Sequence, residues 1–370
     1  MVLETRVNRV SWSRLFGVAL VVSLAFGAIC VVTALVADLP LRDPDGLFGP
    51  SYVRLPLIVV GMLAADVVPR AVRRLSSARD LREAVVEVLR ERWPARRLAA
   101  VVAGLASFYV TYVAYRNLKS FLPFVRKDLA DHDLVESDSW LAAGQHPGDL
   151  LHELLGTGVS AQVLSFAYMF FLFFVPFSLA ASLVWSSGLS RGAWYVTALC
   201  FNWILGTASY YVLPSLGPIY VERFRFEDLP VTEVSGLQDS LLGNRVEVLA
   251  DPYATQSVHG IAAFASLHVS IVFTAALVAH LVRLPGLVRW SLWMLVVLTV
   301  LATIYFGWHY LVDDIAGLGI GALSVWLAAL ATGWRSARTR RVPAGRSTPV
   351  GETVEDGGTA LRSAAPAPLV

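Results

Sequence analysis

About eight stretches of this chain are apolar over roughly the ~20 residues that a helix needs to cross a bilayer, and no other feature restricts the possible folds as much. They lie at 15–36, 55–68, 98–115, 161–185, 194–213, 261–282, 287–306 and 310–334. The 370 residues are 56% hydrophobic and only 16% charged, well away from the balance of a water-soluble globule. The expected fold class is therefore an all-α integral membrane protein with about eight transmembrane helices. The second stretch is the weakest, being short and holding Asp66 near its end. The first follows a basic segment with Arg6, Arg9 and Arg14, as a secretory signal would. Its apolar run is too long for a signal and no small-x-small site follows, so it reads as a retained span. Cys30 and Cys200 both sit inside apolar runs and read as small buried hydrophobes.

The 30 basic and 28 acidic residues leave a net charge of +2, which excludes a nucleic-acid binder recruited by bulk charge. Their distribution is more telling. Alternating spans assign Arg42, Arg54, Arg116, Lys119, Arg126, Lys127, Arg223, Arg225 and Arg245 to one side of the membrane and all other Lys and Arg to the opposite side. By the positive-inside rule that second side, with both termini, is cytoplasmic. Residues 72–97 place Leu75, Leu81, Val85, Val88 and Leu89 at roughly helical spacing among arginines. They predict either an amphipathic helix on the inner leaflet or a solvated helix joining two spans. The Arg-, Pro-, Gly- and Ser-rich tail at 335–370 predicts cytoplasmic disorder. The chain thus divides into an N-terminal pair of spans with a basic helix (1–97), a six-span membrane domain (98–334) and the tail (335–370). Two long loops, 119–160 and 214–259, fall on the extracytoplasmic face and suggest that function sits there.

Two of the seven histidines stand where spans open on that face. His268 follows Phe264, Ala265, Ser266 and Leu267; His309 lies in an aromatic segment running from Tyr305 to Asp314. His309 and Asp313 are four apart, so a helix would stack them within reach. A carboxylate bonded to one imidazole nitrogen fixes the tautomer and frees the other as nucleophile or base. Ionisable groups in spans are costly and therefore candidates for function. A helix-capping pair, a zinc site built from His268, His309 and Asp313, and a proton relay in a lipid transporter or flippase remain alternatives. His259, just before the sixth span, is a further candidate for substrate contact, whereas His132, His146, His152 and His280 read as interfacial or helix-end histidines.

A long outer loop, a Ser-x-His at a helix start, a membrane hairpin and an aromatic-rich His-x-x-x-Asp followed by Ile315, Ala316 and Gly317 together resemble the type 2 phosphatidic acid phosphatase superfamily. Within it, the Pro-rich turn at 214–220 and the amphipathic loop from Leu129 to Pro147 look like those of the inositol phosphorylceramide synthase branch. The resemblance spans 98–334 and implies a six-helix phosphatase-like bundle. It further implies His309 as the nucleophile on a lipid phosphoester, Asp313 as the residue that orients it, and His268 as general acid and base. Ser266 would then bond a phosphoryl oxygen. No metal or cofactor is implied, the partners are a lipid phosphate and the membrane lipids, and no protein partner is indicated. Asp314 reads as a helix-start charge.

The departures from the family pattern fall on phosphate binding. Gly206 and Leu213 stand where the first motif, Lys-x6-Arg-Pro, has its two cations. Ala265 and Leu267 replace Pro and Gly in the second motif, and Ala302 and Thr303 replace Ser-Arg in the third. A phosphate still needs cationic or amide donors. Arg116 and Lys119, one turn apart at the outer end of the third span, are the leading substitutes, with Arg223, Arg225 and Arg245 as further candidates. Both could equally be interfacial cations. With the clamp altered, a non-catalytic relative is also an alternative.

Overall fold

Among the residues described in the computed structural model, which are 12–334 other than 44, 47, 48, 76–80 and 187, thirteen α-helices account for nearly all regular structure. Arg6, Arg9, Arg79 and the tail expected to be disordered lie outside the described residues. Eight helices make up the bundle: α1 (Trp12–Ala37), α2 (Ser51–Val72), α4 (Ala95–Val125), α7 (Val159–Val184), α8 (Leu189–Val212), α11 (Leu267–Leu281), α12 (Gly286–Tyr305) and α13 (Leu311–Thr332). At one end of the bundle lie α5 (Asp131–Leu141), α6 (Pro147–Leu155), α9 (Pro218–Val221), a 3-10 turn (Arg223–Phe226) and α10 (Glu233–Ala250). At the other lies α3 (Leu81–Arg92). A two-residue ladder pairs Asp45 with Pro50 before α2.

Six of these helices are long and apolar enough to cross a membrane: Phe16–Ala37 within α1, α2, α4, α7, α12 and α13. The other two expected spans differ in instructive ways. Residues 194–213 fall in α8, which has the length, but its sequence carries Thr197, Asn202 and Thr207. These are fully or almost fully buried because α8 packs against α1, α4, α7, α11 and α13 and is walled off by its neighbours. Its polar groups are paired inside the bundle: the Asn202 amide donates to Thr274 Oγ1 at 3.0 Å, and Ser270 donates to the Asn202 carbonyl. Residues 261–282 were expected to be helical throughout, yet α11 begins only at Leu267 and has 15 residues, about 22 Å at the usual rise.

The reason is that 263–266 spend their backbone donors elsewhere. Ala263 N donates to the Ser215 carbonyl at 3.0 Å, Phe264 N to Ser215 Oγ at 2.9 Å, Ala265 N to Ser209 Oγ at 2.9 Å and Ser266 N to the Asp313 carbonyl at 3.0 Å. Non-helical backbone at this depth is tolerated only where protein satisfies it. The Ser266 hydroxyl then starts the helix by accepting from Val269 N at 3.4 Å. Close packing of α11 on α13 depends on Gly317, where a Cβ would lie 2.4 Å from the Ser266 carbonyl oxygen.

The basic connector also departs from a single helix over 72–97. Pro94 separates α3 from α4, and α3 turns Ala84 and Val88 into the bundle beside α2. Asp66, which weakened the second span by sequence, is buried and is bonded by Arg70, by Arg92 Nε at 3.3 Å and by Trp93 Nε1 at 3.4 Å.

At the opposite end, α5 anchors the segments that carry the candidate site. Buried Asp131 accepts from Leu216 N, Gly217 N and the Tyr310 hydroxyl at 2.9–3.0 Å. Buried Asp138 accepts from Leu311 N at 2.8 Å and Val312 N at 3.2 Å, two of the free donors at the start of α13. Replacing Asp131 by Ala leaves three buried donors without their acceptor. It is expected to lower stability by about 1–3 kcal/mol, read as a lower thermal midpoint in detergent than that of the parent or of Asp131→Asn.

Candidate active site

The two histidines come from the starts of neighbouring elements. His268 is the second residue of α11. His309 lies in the turn between α12 and α13, two residues ahead of α13 and so outside the helix expected to stack it on Asp313. The pair still meets, because Tyr310 N donates to Asp313 Oδ2 at 3.0 Å and folds the carboxylate back over the turn. His309 Nδ1 lies 3.4 Å from Asp313 Oδ2, and the His309 ring also bonds the Ala263 carbonyl. Burial and the nearby Lys119 ammonium push His309 down to about 3, so the ring is neutral at ordinary pH.

His268 faces His309 with 5.7 Å between ring centroids. Its own ring is packed between Tyr168, at 4.7 Å, and Phe171, at 4.4 Å, and Trp308 continues the stack on Tyr168 at 5.2 Å. Both histidines line a cavity of about 200 Å³, into which Arg116 and Lys119 also project. Lys119 is buried, with Nζ 4.8 Å from the Tyr210 ring centroid and 5.8 Å from that of Tyr115. Arg116 is half-buried, and its Nε is buried with no hydrogen-bond partner. Among the described residues the cavity wall contains no Asp or Glu, and its remaining surface is largely aromatic and aliphatic, including Phe108, Tyr112, Leu172 and Val175.

Ser266 belongs to a different cluster. It does not line the cavity; its buried hydroxyl caps α11 and bonds Asp314. The expected Ser266 contact with a phosphoryl oxygen is therefore not what this geometry offers. Asp314, read from sequence as a helix-start charge, is buried and also accepts from Thr303 Oγ1 at 2.8 Å. His259 lines a separate cavity, where Arg245 Nη1 donates to its Nε2 at 3.1 Å and its own amide donates to Ser120 Oγ at 3.1 Å. Arg223 pairs with Asp239 and Arg225 with Asp149 and Glu222, so these loop arginines are occupied away from the histidines. His132, His146, His152 and His280 are all absent from the cavity wall. Among the described residues no trio of His, Cys, Asp and Glu is placed to share a metal ion. Sequence reasoning missed Arg54, at the start of α2, which also lines the cavity. Its one available signal was its position among the few basic residues on the histidine side.

Residues 132–327, more than half of the chain, match the PAP2 superfamily. The chain belongs to that superfamily. Comparison with curated proteins and with solved structures gives no match. The matched region contains His268, His309 and Asp313, whereas Arg54, Arg116 and Lys119 all precede it.

The fold also accounts for one departure from the PAP2 pattern. Gly206 stands where the first motif has its lysine, and a Cβ there would lie 2.5–2.7 Å from the terminal carbons of Leu267. Leu267 in turn replaces the motif glycine beside the histidine. The leucine occupies the space the lysine would need, so the two changes fit one another. Gly206→Lys alone is expected to cost about 1–3 kcal/mol by overpacking. Gly206→Lys with Leu267→Gly should recover part of that loss, a coupling that a double-mutant thermal-unfolding cycle measures.

A pH dependence follows from His259, which burial and the surrounding Arg245, Lys119 and Arg116 charges hold well below the ordinary imidazole range. The unfolded chain binds a proton near pH 6.5 that the folded site refuses, so stability falls as pH drops below about 6.5. The thermal midpoint should decline between pH 7.5 and 5, and decline less in His259→Asn.

Proposed function

We propose that the protein is a membrane-embedded lipid phosphatase or phosphotransferase that works through a phosphohistidine, without a metal. The observation that carries this reading is the pairing of His268 and His309 across a cavity that is cationic at one end, apolar at the other and, among the described residues, free of carboxylates. An anionic headgroup on an apolar chain matches that division.

In the proposed reaction the free nitrogen of His309 attacks phosphorus in line with the departing oxygen. An N–P bond forms as the P–O bond breaks, and His268, as imidazolium, gives its proton to the leaving alkoxide. Asp313 holds the positive charge that develops on His309. His268 then takes a proton from an incoming water or alcohol, whose oxygen attacks phosphorus and releases His309. Lys119 and Arg116 would hold the non-bridging oxygens in place of the missing motif cations. With water the enzyme is a phosphatase, and with an alcohol a transferase. The likeness of the turn at 214–220 to inositol phosphorylceramide synthases favours transfer of a phosphoryl headgroup, with inositol phospholipids or polyprenyl phosphates as candidate lipids.

The orientation proposed for the cell membrane puts this site on the extracytoplasmic face and both termini in the cytoplasm. Its support is the charge bias: the described arginines of the 70–97 connector cluster at the end of the bundle away from the histidines.

Full-length protein in lipid nanodiscs, given phosphatidic, polyprenyl and inositol phospholipids, should release phosphate or transfer a headgroup. His309→Ala should lower kcat/KM on the order of 10³-fold or more while leaving the thermal midpoint close to that of the parent. Undiminished turnover in that variant would remove His309 as nucleophile. Proton-coupled lipid movement without phosphoester turnover would identify a transporter instead.

A further inference from the structure

We propose that Arg54 and Arg116 form a second anion site in the same cavity, with Arg116 standing between it and the attacked phosphoryl, so that the preferred substrate carries another anionic group between that phosphoryl and its apolar chain. This inference rests on the reading of the cavity as a lipid-phosphate site.

The order of residues along α4 gives the layout. Phe108, Tyr112, Arg116 and Lys119 recur at intervals of four, four and three, a single helical stripe, and all four line the cavity. Moving along α4 toward the histidines, the stripe is apolar first, then carries the guanidinium, then the ammonium. Of the cations on this stripe, Lys119 is the nearer to the end of α4 that leads into α5, whose Asp138 bonds the start of α13 beside His309. Arg116 lies one turn, about 4.5 Å, further back toward the apolar end.

Arg54 enters the same cavity from α2. Ser51, Arg54 and Leu55 line the cavity alongside Phe108 and Tyr112, and α2 packs against α7 and α4. The Arg54 Nε is buried without a hydrogen-bond partner, as is that of Arg116. Among the described residues Arg54 Nη2 reaches Ser51 Oγ, at 3.5 Å. Among the described residues neither arginine has a carboxylate within ion-pair distance. Two guanidinium groups converging on an acid-free cavity, with buried donors unmet, call for an anion of their own. Because the reacting phosphoryl sits by Lys119 and the chain must run toward Val175 and Leu172, that anion lies between them. A diphosphate-type linkage has this form, and a lipid monoester lacks the second charge. The helix that supplies Arg54 lies outside the PAP2-matched region, so this part of the site is an addition to the family's core.

The test uses two non-hydrolysable probes, hexadecylphosphonate and hexadecyl methylenebisphosphonate, binding to full-length protein in nanodiscs. The parent should bind the bisphosphonate about tenfold more tightly or better. Arg54→Gln should bring that ratio close to one with little change for the monophosphonate, Arg54→Lys should restore part of it, and Lys119→Gln should weaken both probes. Equal affinity of the parent for both probes would overturn the proposal. So would an Arg54→Gln variant with a parental thermal midpoint that weakens both alike. Because neither probe reacts, the ratio is independent of catalysis. A selective ratio without turnover of lipid phosphates would uphold the second anion site and end the catalytic reading, whereas turnover without the ratio would end this proposal alone.

Discussion

Two buried carboxylates from α5 hold the candidate site in shape. Asp138 takes the first free amides of α13, at Leu311 and Val312, and Asp131 takes the Leu216 and Gly217 amides and the Tyr310 hydroxyl. A buried N–H without an acceptor costs free energy comparable to a lost hydrogen bond, and more where water is excluded. The turn carrying His309 is therefore fixed on one side by α12 and on the other by a helix start that α5 completes. Ser209 and Ser215 do the same for residues 263–265, and so hold the approach to His268. With both approaches satisfied by side chains from elsewhere, the two imidazoles can face one another without either being part of a regular ladder.

The departures from the PAP2 pattern divide along the same line. The residues proposed for bond making, His268, His309 and Asp313, keep their places within the matched region. The positions that would hold phosphate have been rebuilt: Leu267 fills the space beside Gly206, and Thr303 bonds Asp314 rather than offering a guanidinium. Positive charge enters the cavity instead from α4 and α2, both preceding the matched region. Loss of the motif cations thus does not leave an uncharged cavity, which would have favoured a relative without activity.

Much of this was legible in the sequence because hydrophobic period and charge placement are local signals. The apolar runs located eight bundle helices, and the few basic residues on the histidine side included Arg54, Arg116 and Lys119. What the sequence concealed depends on partners far along the chain. Residues 261–266 are as apolar as a helix, but serines about 50 residues earlier claim the amides of 263–265. Ser266 has the spacing of a site residue, yet its hydroxyl points to Asp314 because α11 packs tightly on α13 at Gly317. Arg54 carries no motif, and only the packing of α2 beside α7 and α4 brings it to the cavity.

The central claim is that His309 becomes covalently phosphorylated. An aryl phosphate, whose leaving group needs no acid, offered to the His268→Ala variant should load the nucleophile and strand it, since the group that would activate water is missing. Alkaline quenching followed by peptide mass spectrometry should then find phosphate on His309, with the label lost on brief acid treatment. Phosphate on another residue, or turnover of the aryl phosphate by the parent protein with no labelled His309 in the variant, would contradict the account.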